Sequence, residues 1–174
     1  MEKSAGGETA AEEIIRLCGL RTENIYTARR YCCAEAVLVA LDGAFRGGLG
    51  QETAARLGSG FCHGMGGGGC VCGALAGAGI VVGLLLGPRG QGGMKKKAFE
   101  KEVSRALHDR FRERFAATCC GVLLKRQKGQ GGASCLELTV GAAEIAAALL
   151  LAQRPELADR VDREFLAVRE KKEK

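Results

Sequence analysis

Cysteine is the residue type in this chain that is best suited to carry chemistry. The 174 residues include nine cysteines, an odd number that cannot all pair with one another. Cys18 stands apart, whereas the others fall in pairs or near those pairs, namely Cys32, Cys33, Cys62, Cys70, Cys72, Cys119, Cys120 and Cys135. A chain of this length can bury a core without covalent links. The pattern therefore favours metal ligation or redox chemistry over a disulfide framework.

The segment before Cys72 is unusually rich in glycine. Seven of the twelve residues from Gly58 to Gly69 are glycine, which predicts an irregular loop. The apolar run from Val71 to Leu86 predicts a helix that Cys72 opens. Backbone N–H groups and the dipole at a helix N-terminus stabilise a thiolate, and loop amides can donate to an anionic iron–sulfur cluster.

Neighbouring cysteines on one helix cannot easily bond to each other. Successive helical side chains point about 100° apart, so each member of such a pair can reach a different iron atom or a different cluster. The alternative for any one cysteine is a small buried apolar residue, an interpretation that suits Cys18.

At these residues the chain resembles a family of redox-active proteins named for a cysteine, then Cys-Gly-Ala-x-x-Gly, then two further cysteines. Tyr31–Val37 resembles the first motif, with Cys33 as its cysteine. The segment Phe61–Gly87 carries the glycine stretch and the run from Cys72 to Gly77. Phe115–Leu124 resembles the third segment, with Cys120, and Cys135 resembles the fourth.

The resemblance implies a helical protein with a redox function that is sometimes linked to iron–sulfur binding. It also implies that Cys33, Cys72, Cys120 and Cys135 converge. Four more thiols depart from the family pattern and lie close to these in sequence: Cys32, Cys62, Cys70 and Cys119. We hypothesise that they enlarge the site, so that up to eight cysteines hold a [4Fe–4S] cluster, two such clusters or a larger assembly.

Two other kinds of site are open to these residues. A thiol–disulfide oxidoreductase or redox sensor would use the pair Cys70/Cys72 or Cys62/Cys72, although no Cys-x-x-Cys motif is present. A structural zinc site would use Cys62, His63, Cys70 and Cys72, at a spacing unlike that of zinc fingers. His63 lies beside Cys62 as a candidate ligand or proton donor close to the cluster, or as an ordinary loop residue.

The apolar periodicity predicts an all-α fold, a compact bundle of six to seven helices in one domain over residues 1–174, with a core at about 22–153. The predicted helices are Glu8–Leu17 (ended by Gly19), Thr22–Phe45, Gln51–Leu57, Val71–Leu86, Met94–Ala117, a short helix from Cys119, Cys135–Gln153, and a terminal one from Pro155. Glycines four residues apart, Gly73/Gly77 and Gly79/Gly83/Gly87, predict close contact between helix backbones or a homodimer interface.

Charge and hydropathy limit the classes of partner that the protein is expected to have. The net charge of +6 is spread over helical faces with no nucleic-acid motif, and it suits an acidic redox partner or none. Apolar runs of about 15 residues are short for a membrane span, and Met1–Leu20 has no secretion signal. We therefore expect a cytoplasmic electron-transfer protein or an oxidoreductase acting on a small molecule, bound to neither nucleic acid nor membrane.

Overall fold

A computed structural model describes residues 8–28, 30–88, 93–129 and 131–171. The described residues are 76% helical and contain no strand, which confirms the all-α class. The helices are α1 (Ala10–Thr27), α2 (Cys33–Phe45), α3 (Gln51–Ser59), α4 (Cys62–Gly66), α5 (Gly73–Leu86), α6 (Met94–Phe99), α7 (Arg105–Phe115), α8 (Cys120–Lys128), α9 (Cys135–Gln153) and α10 (Arg163–Ala167). A 3₁₀ turn at Pro155–Arg160 precedes α10.

The number of helices exceeds the predicted six to seven. Helices α6 and α7 are joined through a π-helical turn at Glu100–Ser104 into one continuous rod, so the described residues form nine separate helices. Of the individual helices, only the short α4 inside the glycine stretch has no predicted counterpart. Two helices lie between Glu8 and Phe45 as predicted, but they are divided at a different place, and the predicted terminal helix is a 3₁₀ turn followed by α10.

The boundary between α1 and α2 is where the predicted helices were wrong. Helix α1 continues through Gly19, which was predicted to end it. Glycine is found here because the Glu144 side chain of α9 packs against this position, where its Oε1 would lie 2.7 Å from a Cβ. The chain then breaks, and α2 begins at Cys33. The Cys32 N–H donates to Glu35 Oε2 at 2.8 Å, as in a capping box, and this local signal marks the true start of α2.

One hydrophobic cluster holds the helices together. It runs from Ile14 to Leu166, so the core extends beyond the predicted 22–153 at both ends. Helix α9 lies at its centre, against α1, α2 and α5. By length and composition alone, α9 is the one described helix that could cross a membrane, and 61% of its apolar window is buried, as expected for a core helix.

Glycine brings α2 and α5 into backbone contact. A Cβ at Gly77 would lie 2.5 Å from the Ala34 carbonyl oxygen, and one at Gly73 would lie 2.7 Å from Cys33 Sγ. Helix α5 therefore cannot carry a side chain at positions 73 and 77 unless the two helices move apart. A Cβ at Gly83, on the same helix, meets no atom within 4 Å, so only the first of the two predicted glycine rows mediates this contact.

Replacing Gly77 with alanine should separate α2 from α5 and lower the free energy of unfolding by about 1–3 kcal/mol. The matched control is Gly83→Ala, which faces open space and should be neutral or stabilising by up to about 1 kcal/mol through its higher helix propensity. Urea denaturation followed by circular dichroism measures both, and equal effects would contradict the close contact.

Candidate metal centre

Four cysteines stand at the N-termini of four different helices. Cys33, Cys120 and Cys135 are the first residues of α2, α8 and α9, and Cys72 immediately precedes α5. Local sequence explains two of these starts directly. Ser134 accepts a hydrogen bond from the Glu137 N–H at 3.2 Å and so caps α9 just before Cys135, and Glu35 accepts the Cys32 N–H just before Cys33. Each cysteine thereby lies beside backbone N–H groups that its helix leaves unpaired.

These four cysteines line a single cavity of about 750 Å³. The helices that carry them come from distant parts of the chain, so the cavity is a product of the tertiary fold. The remaining lining residues, apart from the four cysteines, are Tyr26, Thr27, Arg30, Tyr31, Cys32, His63, Leu123, Leu124 and Leu138. The wall therefore combines thiols with aromatic, basic and aliphatic side chains.

A short antiparallel contact fixes Cys72 next to Cys120. The Cys72 N–H donates to the Thr118 carbonyl at 2.7 Å, and the Cys120 N–H donates to the Cys70 carbonyl at 2.6 Å. Val71 and Cys119 form the bridge between these bonds. Since alternate residues of an extended segment point to opposite sides, Cys72 and Cys120 share one side of the ribbon and Cys119 occupies the other. Cys70 and Cys119 are exposed.

The glycine stretch turns in a left-handed direction beside this ribbon. His63 and Met65 adopt positive φ values of 55° and 62°, an uncommon conformation for residues with a side chain. Gly64 lies between them, and a Cβ there would lie 2.5 Å from Cys120 Cβ. Glycine at this position thus lets the loop pack directly on Cys120 and places His63 on the cavity wall.

Burial dominates the acid–base chemistry of the cavity thiols. It raises the pKa of Cys72 to about 11, although the N–H groups of Leu75 and Ala74 act in the opposite direction. Burial and the neighbouring Cys33 also raise the pKa of Cys120 and of Cys135, and Cys120 adds to the effect on Cys135. The expectation that the helix N-terminus makes Cys72 a thiolate is therefore wrong for the metal-free protein, because desolvation outweighs the amides.

The spacing of the thiols separates two kinds of metal site. Ligands of one tetrahedral zinc ion lie about 3.8 Å apart, given Zn–S bonds of about 2.3 Å. Within the described part of the chain, the one set of three potential ligand atoms within 4.8 Å of one another is Cys32, Glu35 and Cys62, so no three of the four cavity thiols are this close. Thiolates that bind different irons of a cluster are not held to this spacing, so it bears only on a site for a single zinc ion.

The four additional cysteines do not join the cavity as a group. Cys32 lines it but forms a disulfide with Cys62, with 5.8 Å between their Cα atoms. Cys70 and Cys119 are exposed free thiols and do not line the cavity. The fold therefore does not bring eight thiols together in this state. The disulfide also differs from the two candidate pairs identified from the sequence, Cys70/Cys72 and Cys62/Cys72, since Cys72 is a free thiol. A disulfide between residues 30 positions apart leaves no local signal in the sequence.

Two tyrosines of the cavity wall escaped the sequence analysis. Burial and the nearby Cys135 and Cys33 raise the pKa of Tyr26, which places its phenol close to these thiols. The Tyr31 hydroxyl accepts a hydrogen bond from Gln51 Nε2 at 2.7 Å. Tyr31 stands directly before the Cys32-Cys33 pair, so adjacency to the cysteines was a usable signal, whereas Tyr26 reaches the cavity only through the packing of α1.

The raised pKa of Cys72 predicts a pH-dependent stability of the metal-free protein. The folded state holds this proton more tightly than the unfolded chain, so the free energy of unfolding should fall as the pH rises from about 9 to 11. By pH 10, the raised pKa of Cys72 alone should have lowered the free energy of unfolding by about 1.4 kcal/mol relative to neutral pH. Denaturation of wild type and Cys72→Ser between pH 8 and 10.5 should show a shallower slope for the variant.

Cys119→Ser makes the same thiol-to-hydroxyl exchange on the exposed side of the ribbon and is the matched control. If wild type and Cys72→Ser lose stability in parallel as the pH rises, the proposed burial of a protonated Cys72 is contradicted.

The name of the family corrects the order of the motif stated from the resemblance. It reads Gly-Cys-Ala-x-x-Gly and not Cys-Gly-Ala-x-x-Gly, so this chain, with Cys72-Gly73-Ala74-Leu75-Ala76-Gly77, has cysteine and glycine exchanged relative to the name. The structure gives a reason for glycine at position 73. A Cβ there would lie 2.7 Å from both Cys33 Sγ and the Phe61 carbonyl oxygen, so the thiol is supplied one residue earlier.

The chain was compared with protein families, curated proteins and solved structures. No curated protein and no solved structure matches it. Residues 31–149 match the model of the family described as "Putative redox-active protein (C_GCAxxG_C_C)", a span that contains all four cavity cysteines and covers more than half of the chain. The protein is cysteine-rich and helical, and it belongs to the C_GCAxxG_C_C redox-active family.

Proposed function

We propose that this protein is an iron–sulfur redox protein in which Cys33, Cys72, Cys120 and Cys135 hold one [4Fe–4S] cluster. The observation that carries the proposal is the convergence of four free thiols, each from the N-terminus of a different helix, on one cavity. A cluster of this type takes four thiolate ligands, which matches the number of cysteines supplied.

Electrostatics support an anionic occupant. A helix N-terminus carries a partial positive charge, and helices α2, α5, α8 and α9 all begin at or directly after cysteines that line the cavity. A cluster with four thiolates is negatively charged overall, and N–H···S hydrogen bonds tune its potential. Four helix ends therefore compensate a charge that the apolar surroundings would otherwise disfavour.

The residues around the thiols limit contact with water. Cys72 is only 4% exposed, and Leu123 and Leu138 form part of the wall. A bound cluster would supply one-electron transfer, and burial of its ligands would influence its reduction potential. The raised pKa values of Cys72, Cys120 and Cys135 keep these thiols protonated before metal binds, so metal binding must release their protons. The affinity of the site for iron should therefore increase with pH.

The cavity also supports a role for a second molecule. Tyr26, Tyr31, Arg30 and His63 add hydrogen-bonding and basic groups to the wall beside the thiols. We accordingly propose electron transfer coupled to reduction of a small molecule, with electrons supplied by a cytoplasmic redox partner. The net charge of +6 suits an acidic donor protein.

The competing sites are less well supported. Zinc would need closer thiols than the cavity provides, and the proposed zinc ligand Cys62 is in a disulfide. An enlarged eight-cysteine assembly would require Cys70 and Cys119, which are exposed and absent from the cavity wall, and reduction of the Cys32–Cys62 bond. We therefore propose four ligands and one cluster.

Serine substitutions test this assignment. After anaerobic reconstitution, the wild-type protein should bind about four irons and an equal amount of acid-labile sulfide per chain. Replacing Cys33, Cys72, Cys120 or Cys135 individually should lower the iron content or destabilise the cluster to oxygen. Iron and sulfide analysis together with visible absorption measure the result.

The matched controls are Cys70→Ser and Cys119→Ser, which remove neighbouring but exposed thiols and should keep the wild-type iron content. Protein that stays free of iron after reconstitution, or that loses iron equally in the control variants, would rule out the four-cysteine site. Zinc bound in place of iron would instead make the centre structural.

A further inference from the structure

The Cys32–Cys62 disulfide lies at the edge of the cavity and has a different environment on each side. Cys32 is the residue before α2 and lines the cavity, whereas Cys62 begins α4 and is not part of the wall. Both residues are partly exposed. Of the two disulfide-bonded residues, Cys32 is therefore the one that a molecule inside the cavity would contact.

Noncovalent contacts already hold the two cysteines together. Gly58 packs on the start of α2, where a Cβ would lie 2.8 Å from the Glu35 backbone nitrogen. Gly73 packs on Phe61 and Cys33, as its closest approaches to the Phe61 carbonyl oxygen and Cys33 Sγ show. These contacts connect the segment that contains Cys62 to the segment that contains Cys32. The disulfide is not needed to bring the segments together, so its reduction should leave the two thiols adjacent.

The position of Cys32 also suits reversible chemistry. It precedes a 13-residue helix, whose first N–H groups and dipole stabilise a thiolate both as a nucleophile and as a leaving group. The Glu35 carboxylate lies within 4.8 Å of both sulfurs and offsets part of this effect. That carboxylate accepts the Cys32 N–H at 2.8 Å, so its position is set by the helix cap.

We propose that Cys32–Cys62 is a reversible exchange disulfide, with Cys32 as the reacting residue and Cys62 as the resolving one, for a low-molecular-weight thiol or disulfide that enters the cavity. The inference rests on the proposed redox function of this cavity and names the class of molecule that reacts there. The cavity of roughly 750 Å³ beside Cys32 favours a small molecule over a protein dithiol.

The exchange balances with a dithiol as reductant. One thiolate of the dithiol attacks Cys32 Sγ, the disulfide breaks, and Cys62 leaves as a thiolate that takes up a proton. The second thiol of the reductant then attacks the mixed disulfide and expels Cys32, which also takes up a proton. Two electrons pass from the dithiol, which becomes a disulfide, to the two cysteines. In the reverse direction the Cys32 thiolate attacks a substrate disulfide and releases the first product thiol. Cys62 then attacks the mixed disulfide on Cys32, which releases the second product thiol and restores the Cys32–Cys62 bond.

The test uses metal-free full-length protein in which Cys70 and Cys119 are replaced by serine, since both are exposed and would react in the background. Reduced protein is mixed with glutathione disulfide as the probe, and each cysteine is located by peptide mass spectrometry. With Cys62→Ser added, a stable glutathionyl adduct should accumulate on Cys32. With Cys32→Ser added, Cys62 should react with glutathione disulfide at least about tenfold more slowly than Cys32 does in the Cys62→Ser variant. Protein with both residues intact should return to the Cys32–Cys62 disulfide.

A second measurement does not depend on any variant at Cys32 or Cys62. Dithiothreitol should reduce the disulfide under native conditions, with the helical circular dichroism retained, and oxidation should restore it. A bond that is reduced only when the protein unfolds would identify a structural link and overturn the proposal, as would equal adduct formation at Cys62 and Cys32. Since no metal is present, these outcomes leave the iron content of the reconstituted protein as a separate test of the cluster.

Discussion

The backbone contact between α2 and α5 determines where the reactive residues can lie. Gly77 meets the Ala34 carbonyl, and Gly73 meets Cys33 Sγ, at distances that leave no room for another atom. This contact fixes the beginning of each helix relative to the other, and the beginnings carry Cys33 and Cys72. The ribbon between Cys70–Cys72 and Thr118–Cys120 then adds α8 to the same place. Helix α9 completes the arrangement with Cys135 at its first position.

Positioning thiols at helix N-termini serves two opposing requirements. Without metal, burial keeps the Cys72 thiol protonated, which spares the core a group of thiolates at close range. The proposed anionic cluster would be stabilised by the partial positive charge at the N-termini of the four helices. The same geometry would therefore suit the protein with and without the proposed cluster. It also explains why small residues are concentrated here: glycines at 64, 73 and 77 allow the backbone to approach the sulfur atoms and their helices closely.

The sequence was informative about composition and local periodicity, and less so about where helices begin. The all-α class and the helix Cys135–Gln153 followed from apolar periodicity, and the cysteine motifs identified the family. The division between α1 and α2 was missed because apolar spacing continues across Thr22–Phe45, and only the Glu35 cap at Cys32 marks the break. Gly19 was wrongly predicted to end the first helix, because its role is to make room for Glu144, a contact that depends on tertiary packing and not on local sequence. The Cys32–Cys62 pairing and the contribution of Tyr26 likewise arise from long-range contacts without a local pattern.

We propose that one iron–sulfur cluster lies between the N-termini of α2, α5, α8 and α9. The most direct measurement is anomalous diffraction at the iron absorption edge from crystals of the anaerobically reconstituted protein. This arrangement predicts iron peaks inside the cavity, each bonded to one of Cys33, Cys72, Cys120 and Cys135. Iron located instead at Cys32, Glu35 and Cys62, or on the exposed Cys70 and Cys119, would contradict it.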